Sequence, residues 1–185
     1  VKLQVLSSFT GKKGTMLTKD MKSLENQVVR GIAHSSNEAL VSLVDVKNKP
    51  GISAVIFNAL ALEEINVDMI VQSSSLKDEK VTYSYTVSKS DANKTKKVME
   101  KAQKKLSYKE VVINKNICKV SVVVLGMKTN SGVANIMFAQ LAKHNINIHV
   151  ISTSEIKISV LIDDKYKELA IRSLHDAYRL NKVKK

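Results

Sequence analysis

The chain has 185 residues, of which 44% are hydrophobic, and a formal net charge of +13. This length allows a sizeable core, while no apolar run approaches the length of a membrane span. The single cysteine, Cys118, excludes an intrachain disulfide and a cysteine-based zinc site, and we expect it to be a small buried side chain at the start of a strand.

The N-terminal region precedes the repeated part of the chain. Its first residue is a valine, which suggests that the chain begins inside a longer polypeptide or has been trimmed. It lacks the basic, then apolar, then small-residue pattern of a secretion signal, so we expect a cytoplasmic protein. Residues 27–33 follow and predict a strand with one mixed face.

A repeat dominates the rest of the sequence. Residues 50–73 and 131–154 are identical at 8 of 24 aligned positions, and most other core-like positions exchange one aliphatic residue for another. A glycine near the start of each segment, Gly51 or Gly132, follows a strand-like apolar run. The chain therefore contains two copies of one unit, and we expect two small cores rather than one.

Each copy predicts the order strand, helix, strand, strand, helix. The predicted strands are residues 39–45, 65–71 and 81–87 in the first copy and 119–125, 146–151 and 156–162 in the second. The first helix of each copy has its core-facing positions at offsets 0, 3, 4, 7 and 8: Ile52, Val55, Ile56, Ala59 and Leu60, and Val133, Ile136, Met137, Gln140 and Leu141. Phe57 and Phe138 lie beside this stripe and are assigned to the core. Second helices are expected after N-caps at Ser90 or Asp91 and at Asp163 or Asp164.

Closing strands complete the predicted fold. Residues 110–113 supply one in the first copy, which gives the split βαββαβ order of ferredoxin-like folds. The second copy ends at Tyr178 without such a strand, so residues 27–33 are predicted to fill its sheet edge. We therefore predict an α+β protein of two ferredoxin-like modules in tandem, with the first inserted into the second. The predicted boundaries are residues 39–116 for the first module, 26–38 with 117–179 for the second, and 180–185 for a basic tail.

The sequence contains no motif for nucleotide or metal chemistry. Its six glycines form neither a Gly-x-Gly cradle nor a phosphate loop. Its four histidines lack the three- or four-residue spacing of helical metal ligands, and no Gly-x-Ser-x-Gly nucleophile is present. We therefore predict a binding module with neither catalytic residues nor a metal.

The repeated strand-glycine-helix junction is the place to expect a ligand. The first turn of a helix leaves backbone N–H groups unpaired and carries a positive partial charge, which suits a carboxylate. Gly51 removes the side chain that would block close approach. The alternative is that Gly51 and Gly132 only serve tight turns, and the sequence leaves these two interpretations equal.

The positive charge raises the question of nucleic acid or an acidic membrane surface. Much of it lies on lysines spaced as the solvated face of a helix and on the tail: Lys94, Lys96, Lys97, Lys101, Lys104, Lys105, Lys182, Lys184 and Lys185. We favour a solvated face, with neither nucleic acid nor membrane as a partner. An RNA-binding sheet is the alternative, and it depends on Tyr83 and Tyr85, which share one face of a predicted strand.

Several segments resemble the regulatory region of bacterial aspartate kinase, which is built from tandem ACT domains. They are Val-Arg-Gly-Ile-Ala at 29–33, Lys-Pro-Gly-Ile at 49–52, Ile-Asn-Val-Asp-Met-Ile-Val-Gln at 65–72, Lys-Val-Ser-Val-Val at 119–123 and Ile-Ser-Thr-Ser-Glu-Ile at 151–156. The resemblance covers about residues 26–180, and it assigns residues 1–25 to the end of the kinase domain and a linker. The family's nucleotide-binding Lys-Phe-Gly-Gly-Thr-Ser motif is absent, so the catalytic domain, with its ATP and magnesium, is expected outside this chain.

This resemblance implies feedback regulation of the first step from aspartate towards lysine, threonine and methionine. In relatives, a threonine or lysine effector sits where one ACT module meets another, and we expect this chain to form a homodimer through its ACT modules. Carried over by position, the effector-binding residues are Asn48, Pro50, Gly51, Ile52 and Ser53, Gln72, and Asn147, Ile148 and Ser154 of the facing second module. Amides near Gly51 would hold the carboxylate, carbonyls near Asn147 the ammonium, and Gln72 a side-chain polar group.

A structural dimerisation subunit without an effector is the second alternative. Asn48 stands where many relatives carry aspartate, and Asp45 could replace that charge only if the loop bends back. At the second junction, Ser131 replaces the usual proline, and Thr129-Asn130 replace the common Ser-His. Binding of an effector would separate this alternative from a sensor.

Overall fold

The computed structural model describes residues 3–6, 9–10, 13–17, 28–74, 79–124 and 132–181. Strands β1 (Leu3–Leu6) and β2 (Lys13–Leu17) pair antiparallel as a separate two-stranded sheet. The other described strands form two four-stranded sheets, each with two helices, which is the predicted α+β architecture. No helix among the described residues is long and apolar enough to cross a membrane.

The first module has one antiparallel sheet in the order β5-β6-β4-β7. Its elements are β4 (Glu38–Lys47), α1 (Ile52–Ala61), β5 (Ile70–Ser74), β6 (Lys80–Ser88), α2 (Ala92–Leu106) and β7 (Glu110–Asn114). Helix α2 follows Asp91, as predicted, and its six exposed lysines form the expected solvated face.

The second module takes its fourth strand from ahead of the first. Strand β3 pairs antiparallel with β8, so the sheet has the order β3-β8-β10-β9. Its elements are β3 (Val29–Ser35), β8 (Ile117–Val124), α3 (Gly132–Lys143), β9 (Val150–Thr153), β10 (Lys157–Asp163) and α4 (Lys167–Ala177). The prediction that the first module is inserted into the second is therefore confirmed. A 3-10 turn, Asp164–Tyr166, separates Asp163 from α4, so the predicted aspartate N-cap begins this turn instead of the helix.

Each module has its own core between the sheet and the helices. In the first core, Phe57 packs edge-on against Tyr83 and Tyr85, with ring centroids 6.5 and 5.8 Å apart, which confirms it as a core residue. Both tyrosines are almost fully buried beneath the helices, so this face cannot stack RNA bases. Cys118 is fully buried at the start of β8, as predicted.

The core-facing stripe of the first helices is narrower than predicted. Val55 and Ile136, which are equivalent in the two repeats, are 38% and 40% exposed. The buried residues of these helices recur every fourth position: Ile52, Ile56 and Leu60 in α1, and Val133, Met137 and Leu141 in α3. Val55 and Ile136, at offset 3 of the predicted pattern, therefore each place an exposed apolar side chain on the helix surface.

The second strands begin later than predicted, at Ile70 and Val150 instead of residues 65 and 146. The preceding residues close the helices: the Ile65 N–H donates to the Leu60 carbonyl (3.0 Å), and the Ile146 N–H makes the equivalent bond to Leu141 (2.9 Å). Each bond follows a residue with positive φ, which is the Schellman motif. The two isoleucines are buried as helix-closing residues and are not part of a strand.

The two modules meet at an ion cluster whose Lys119 and Glu38 side chains are largely buried. The Lys119 ammonium of β8 donates to the Glu38 carboxylate of β4 at 2.6 Å and also contacts the Asp68 carboxylate, which precedes β5. Side-chain exposure is 15% for Lys119 and 11% for Glu38. Burial lowers the pKa of Lys119, but the hydrogen bonds and charges of Asp68 and Glu38 outweigh it, so the pKa is raised.

An apolar cluster lies in the same contact between the modules. Met69 of the first module packs with Ile117 and Leu161 of the second, and the last two are fully buried. Ile117 and Lys119 lie on the face of β8 opposite the second core, because side chains alternate along a strand. The helix-free face of the second sheet therefore supplies its part of the contact.

Replacing Lys119 with Ala should destabilise the protein by about 3 kcal/mol, because Glu38 then remains buried without a cation. Lys96→Ala is the matched control: it removes one partner of an exposed pair with Glu100 and should cost less than about 0.5 kcal/mol. Since a raised lysine pKa stabilises the fold below its unfolded value, this contribution should fade as the pH rises above about 10.5. Urea unfolding of both variants across pH measures this, and equal costs would contradict it.

Candidate functional site

The first candidate group lies where β4 turns into α1. The Asn48 N–H donates to the Glu79 carbonyl (2.8 Å), which ties the loop to the start of β6. Gly51 is the N-cap of α1 and adopts φ +87°, where an L side chain would be strained. Asn48, Pro50 and Gly51 are exposed around this turn.

The first turn of α1 presents free amides. Among the described residues, no side chain caps the helix, and the amides of Ser53 and Ala54 have no acceptor. The Ile52 N–H is already paired with the Lys49 carbonyl (3.2 Å). The available donors thus begin at residue 53, and with the helix dipole they suit a carboxylate.

Gln72 lies on the same side of the sheet as this turn. It is directly opposite Tyr83 in the pairing of β5 with β6, and its side chain is exposed. The Tyr83 hydroxyl is 2.7 Å from Ser53 Oγ in α1. Ser53 and Tyr83 therefore form a hydrogen-bonded pair at the start of the helix, and Gln72 is the strand partner of Tyr83 on the neighbouring edge strand. Sequence reasoning treated Tyr83 only as a sheet aromatic, because nothing local signals a bond between two residues so far apart in the chain.

Asp45 does not replace the charge missing at Asn48. It lies in a β-bulge between Leu43 and Val46 with φ 56°, and its carboxylate is 3.9 Å from the Lys80 ammonium. The bulge turns this side chain towards β6. The side chains of Asn48, Ser53 and Gln72 are neutral, so this half of the site offers polar groups but no anion.

The second candidate group lies in the other module. Asn147 and Ile148 precede β9 and line a pocket of about 280 Å³ with residues of α3 and the turn after it. Ser154 is exposed in the turn to β10, where its N–H donates to the Lys157 carbonyl (2.9 Å). The residues lining this pocket all come from the second module. Within a single chain, this pocket therefore contains no residue of the first candidate group.

Comparison with known proteins identifies the modules. The model of the ACT domain matches residues 41–103 and 120–178, one match in each module. The aspartokinase of Helicobacter pylori is 48% identical over 185 residues, which cover 98% of this chain and 45% of that protein. The chain belongs to the aspartokinase family and corresponds to its regulatory ACT-domain segment.

Solved structures agree with this assignment. The crystal structure of aspartokinase alpha and beta subunits matches with a TM-score of 0.76 at 42% identity, and covers 82% of this chain and 99% of that one. The ligand-free regulatory subunit of aspartate kinase from Thermus thermophilus matches with the same score and coverage at 34% identity. This ACT pair thus spans less than half of the Helicobacter pylori aspartokinase but nearly all of a separate regulatory subunit.

The second ACT junction differs from the first. Residues 125–131, which include Thr129, Asn130 and Ser131, lie outside the described residues, and Gly132 begins α3 outside the left-handed region. The Tyr178 hydroxyl donates to the Val133 carbonyl (2.7 Å) in the first turn of α3. Burial raises the pKa of Tyr178 to about 12. Of Gly51 and Gly132, only Gly51 adopts a backbone conformation that favours glycine over other residues.

Gly51→Ala should therefore destabilise the protein by about 1–2 kcal/mol, since the new side chain enters open space but the positive φ is strained. Gly132→Ala is the matched control, because it also meets no atom within 4 Å and has no such strain. Unfolding free energies from urea titration compare the two. A loss at Gly51 no larger than at Gly132 would show that the turn does not require glycine.

Proposed function

We propose that this chain binds an end-product amino acid, threonine or lysine, and relays feedback inhibition to aspartate phosphorylation by an aspartate kinase. The observation that supports it is that the amides of Ser53 and Ala54 have no acceptor among the described residues and lie on the face of the sheet that also carries the neutral Gln72. An amino acid carries a carboxylate that needs such donors in the first turn of a helix. The process served is lysine, threonine and methionine biosynthesis.

The ligand contacts follow from this assignment. The carboxylate binds the amides that follow Gly51, and Lys47 and Lys49, which flank Asn48 in the sequence, add positive charge to this loop. Gln72 binds the polar side-chain group. The ammonium binds the backbone carbonyls near Asn147. The remaining members of the site enclose the ligand: Asn48, Pro50, Ile52, Ser53, Ile148 and Ser154.

A second copy of the chain completes the site. The two candidate groups lie in different modules, and each adjoins an edge strand: Gln72 is on β5, and Asn147 precedes β9. Ile70 on β5 and Ile151 on β9, equivalent in the repeats, are 50% and 46% exposed. Placing the β5 edge of one copy beside the β9 edge of another covers both isoleucines and brings the two groups together.

The catalytic domain is the other partner. Residues 1–25 belong to the end of that domain and a linker, and ATP and magnesium bind in the catalytic domain. No catalytic residue, nucleic acid or membrane is assigned to this segment, which acts in the cytoplasm. The same pair of modules could instead serve only dimerisation, which the neutral Asn48 favours, and ligand binding distinguishes the two.

Threonine or lysine at millimolar concentration should raise the melting temperature, because it binds only the folded state. Gln72→Ala should weaken binding by about 1–3 kcal/mol, since a polar group of the ligand loses its partner. Gln103→Ala, an exposed glutamine on α2, is the matched control and should bind normally. Calorimetric titration of all three proteins measures this. If threonine, lysine and methionine neither raise the melting temperature nor bind in the titration, the proposal is wrong, and the chain would serve only dimerisation.

The protein should sediment as a dimer, at twice the 20.5 kDa mass of the chain. Ile70→Asp should shift it towards monomer, because a carboxylate would be buried at the β5 edge. Val112→Asp on β7, the opposite edge of the same sheet, is a matched control at 45% exposure and should leave the dimer intact. A single 20.5 kDa species of the unmodified chain, with and without effector, would contradict the shared site.

A further inference from the structure

The Tyr83 hydroxyl links the centre of the first sheet to the start of α1. Its ring is buried, with 2% of the residue exposed, and it packs edge-on against Phe57. Its hydroxyl reaches Ser53 Oγ at 2.7 Å, where one hydroxyl donates and the other accepts. The buried Tyr83 side chain therefore reaches from the core to the first turn of α1, where the amides of Ser53 and Ala54 lie.

Little else holds that turn. Gly51 has no side chain with which to cap the helix, and no acidic residue lies in the first turn. Within the described part of the chain, the Ser53–Tyr83 pair is the only side-chain hydrogen bond recorded for α1 residues. The position of the first turn relative to the sheet therefore depends on this bond and on apolar packing.

The second module anchors the start of its helix in a related way. There the Tyr178 hydroxyl donates to the carbonyl of Val133, the residue equivalent to Ile52. Tyr178 lies beyond α4, whereas Tyr83 lies on β6, so the two anchors come from different elements. A tyrosine hydroxyl reaching the first helix turn is thus common to both modules.

We infer that Tyr83 is a positioning residue of the proposed effector site and acts through Ser53. The inference rests on the proposed function. Tyr83 connects two parts of the first candidate group. It is the strand partner of Gln72, and its hydroxyl is hydrogen-bonded to Ser53 in the first turn of α1. Its hydroxyl fixes the spacing between the amides that receive the carboxylate and the Gln72 amide that receives the polar side chain. It does not touch the ligand.

Tyr83→Phe tests this, and Tyr85→Phe is its matched control. Tyr85 lies two residues along the same strand and is fully buried, but its hydroxyl has no hydrogen-bond partner within the described structure. Both variants keep the ring. Tyr83→Phe should weaken threonine or lysine binding about three- to tenfold, the value of one lost hydrogen bond. Tyr85→Phe should leave affinity unchanged.

A double-mutant cycle shows whether Tyr83 acts through Ser53. Ser53→Ala should weaken binding as much as Tyr83→Phe, and the double variant should be no weaker than either single one, because all three lack the same bond. Ser53→Thr restores the hydroxyl and should bind more tightly than Ser53→Ala. If Tyr83→Phe fails to fold, Ser53→Ala against Ser53→Thr still decides the matter by calorimetry.

The outcomes separate this inference from the function on which it rests. If the unmodified protein binds neither amino acid, the proposed function fails and the inference falls with it. If it binds and Tyr83→Phe binds equally well, only the inference is overturned. Additive losses in the double variant also overturn it, because they show that the two hydroxyls act independently. Equal losses in Tyr83→Phe and Tyr85→Phe would assign the effect to core packing and overturn it as well.

Discussion

The contact of Lys119 with Glu38 and Asp68 determines how the two modules fit together. Lys119 and Glu38 occupy equivalent positions in the two repeats, so an exact duplication would place like charges opposite each other. The opposite charges instead form a pair with both side chains largely buried. Such a pair adds little net stability compared with apolar residues, but breaking it is costly. It thereby favours contact between unlike modules over contact between two copies of the same module.

The same contact lies at the beginning of the strands that carry the candidate site. Glu38 begins β4, which leads to the Asn48 loop, and Asp68 precedes β5, which carries Gln72. A ligand that displaced β5 would also disturb the bond from Asp68 to Lys119. Ligand affinity and the module contact would then be coupled, and the coupling would act equally in both directions. The ion cluster therefore lies between the strands that carry the candidate site and the second module.

Sequence periodicity predicted much of the fold and less of the site. The repeat and the strand count gave the insertion of the first module, because an unfilled sheet edge left only one candidate strand. The end of α1 was missed because Glu64 adopts positive φ without being a glycine or asparagine, whereas Asn145 after α3 is a residue type that favours this conformation. The Lys119 cluster and the Ser53–Tyr83 bond join residues that are distant in the chain, and side-chain patterns within one element cannot predict such pairs. Val55 satisfied the helical pattern but faces outward, since periodicity gives an apolar face and not the element that covers it.

The two junctions have diverged in the features that matter for a ligand. In the first, Gly51 adopts a left-handed conformation that would strain any residue with a side chain, and the tyrosine anchor binds a side chain, Ser53, whose hydroxyl retains further hydrogen-bonding capacity. In the second, Gly132 lies outside the left-handed region, the tyrosine anchor binds a backbone carbonyl, and Ala134 stands where the first has Ser53. The first junction therefore carries the groups that suit a carboxylate ligand, while the candidate residues of the second module, Asn147 and Ile148, lie beyond the C-terminal end of α3.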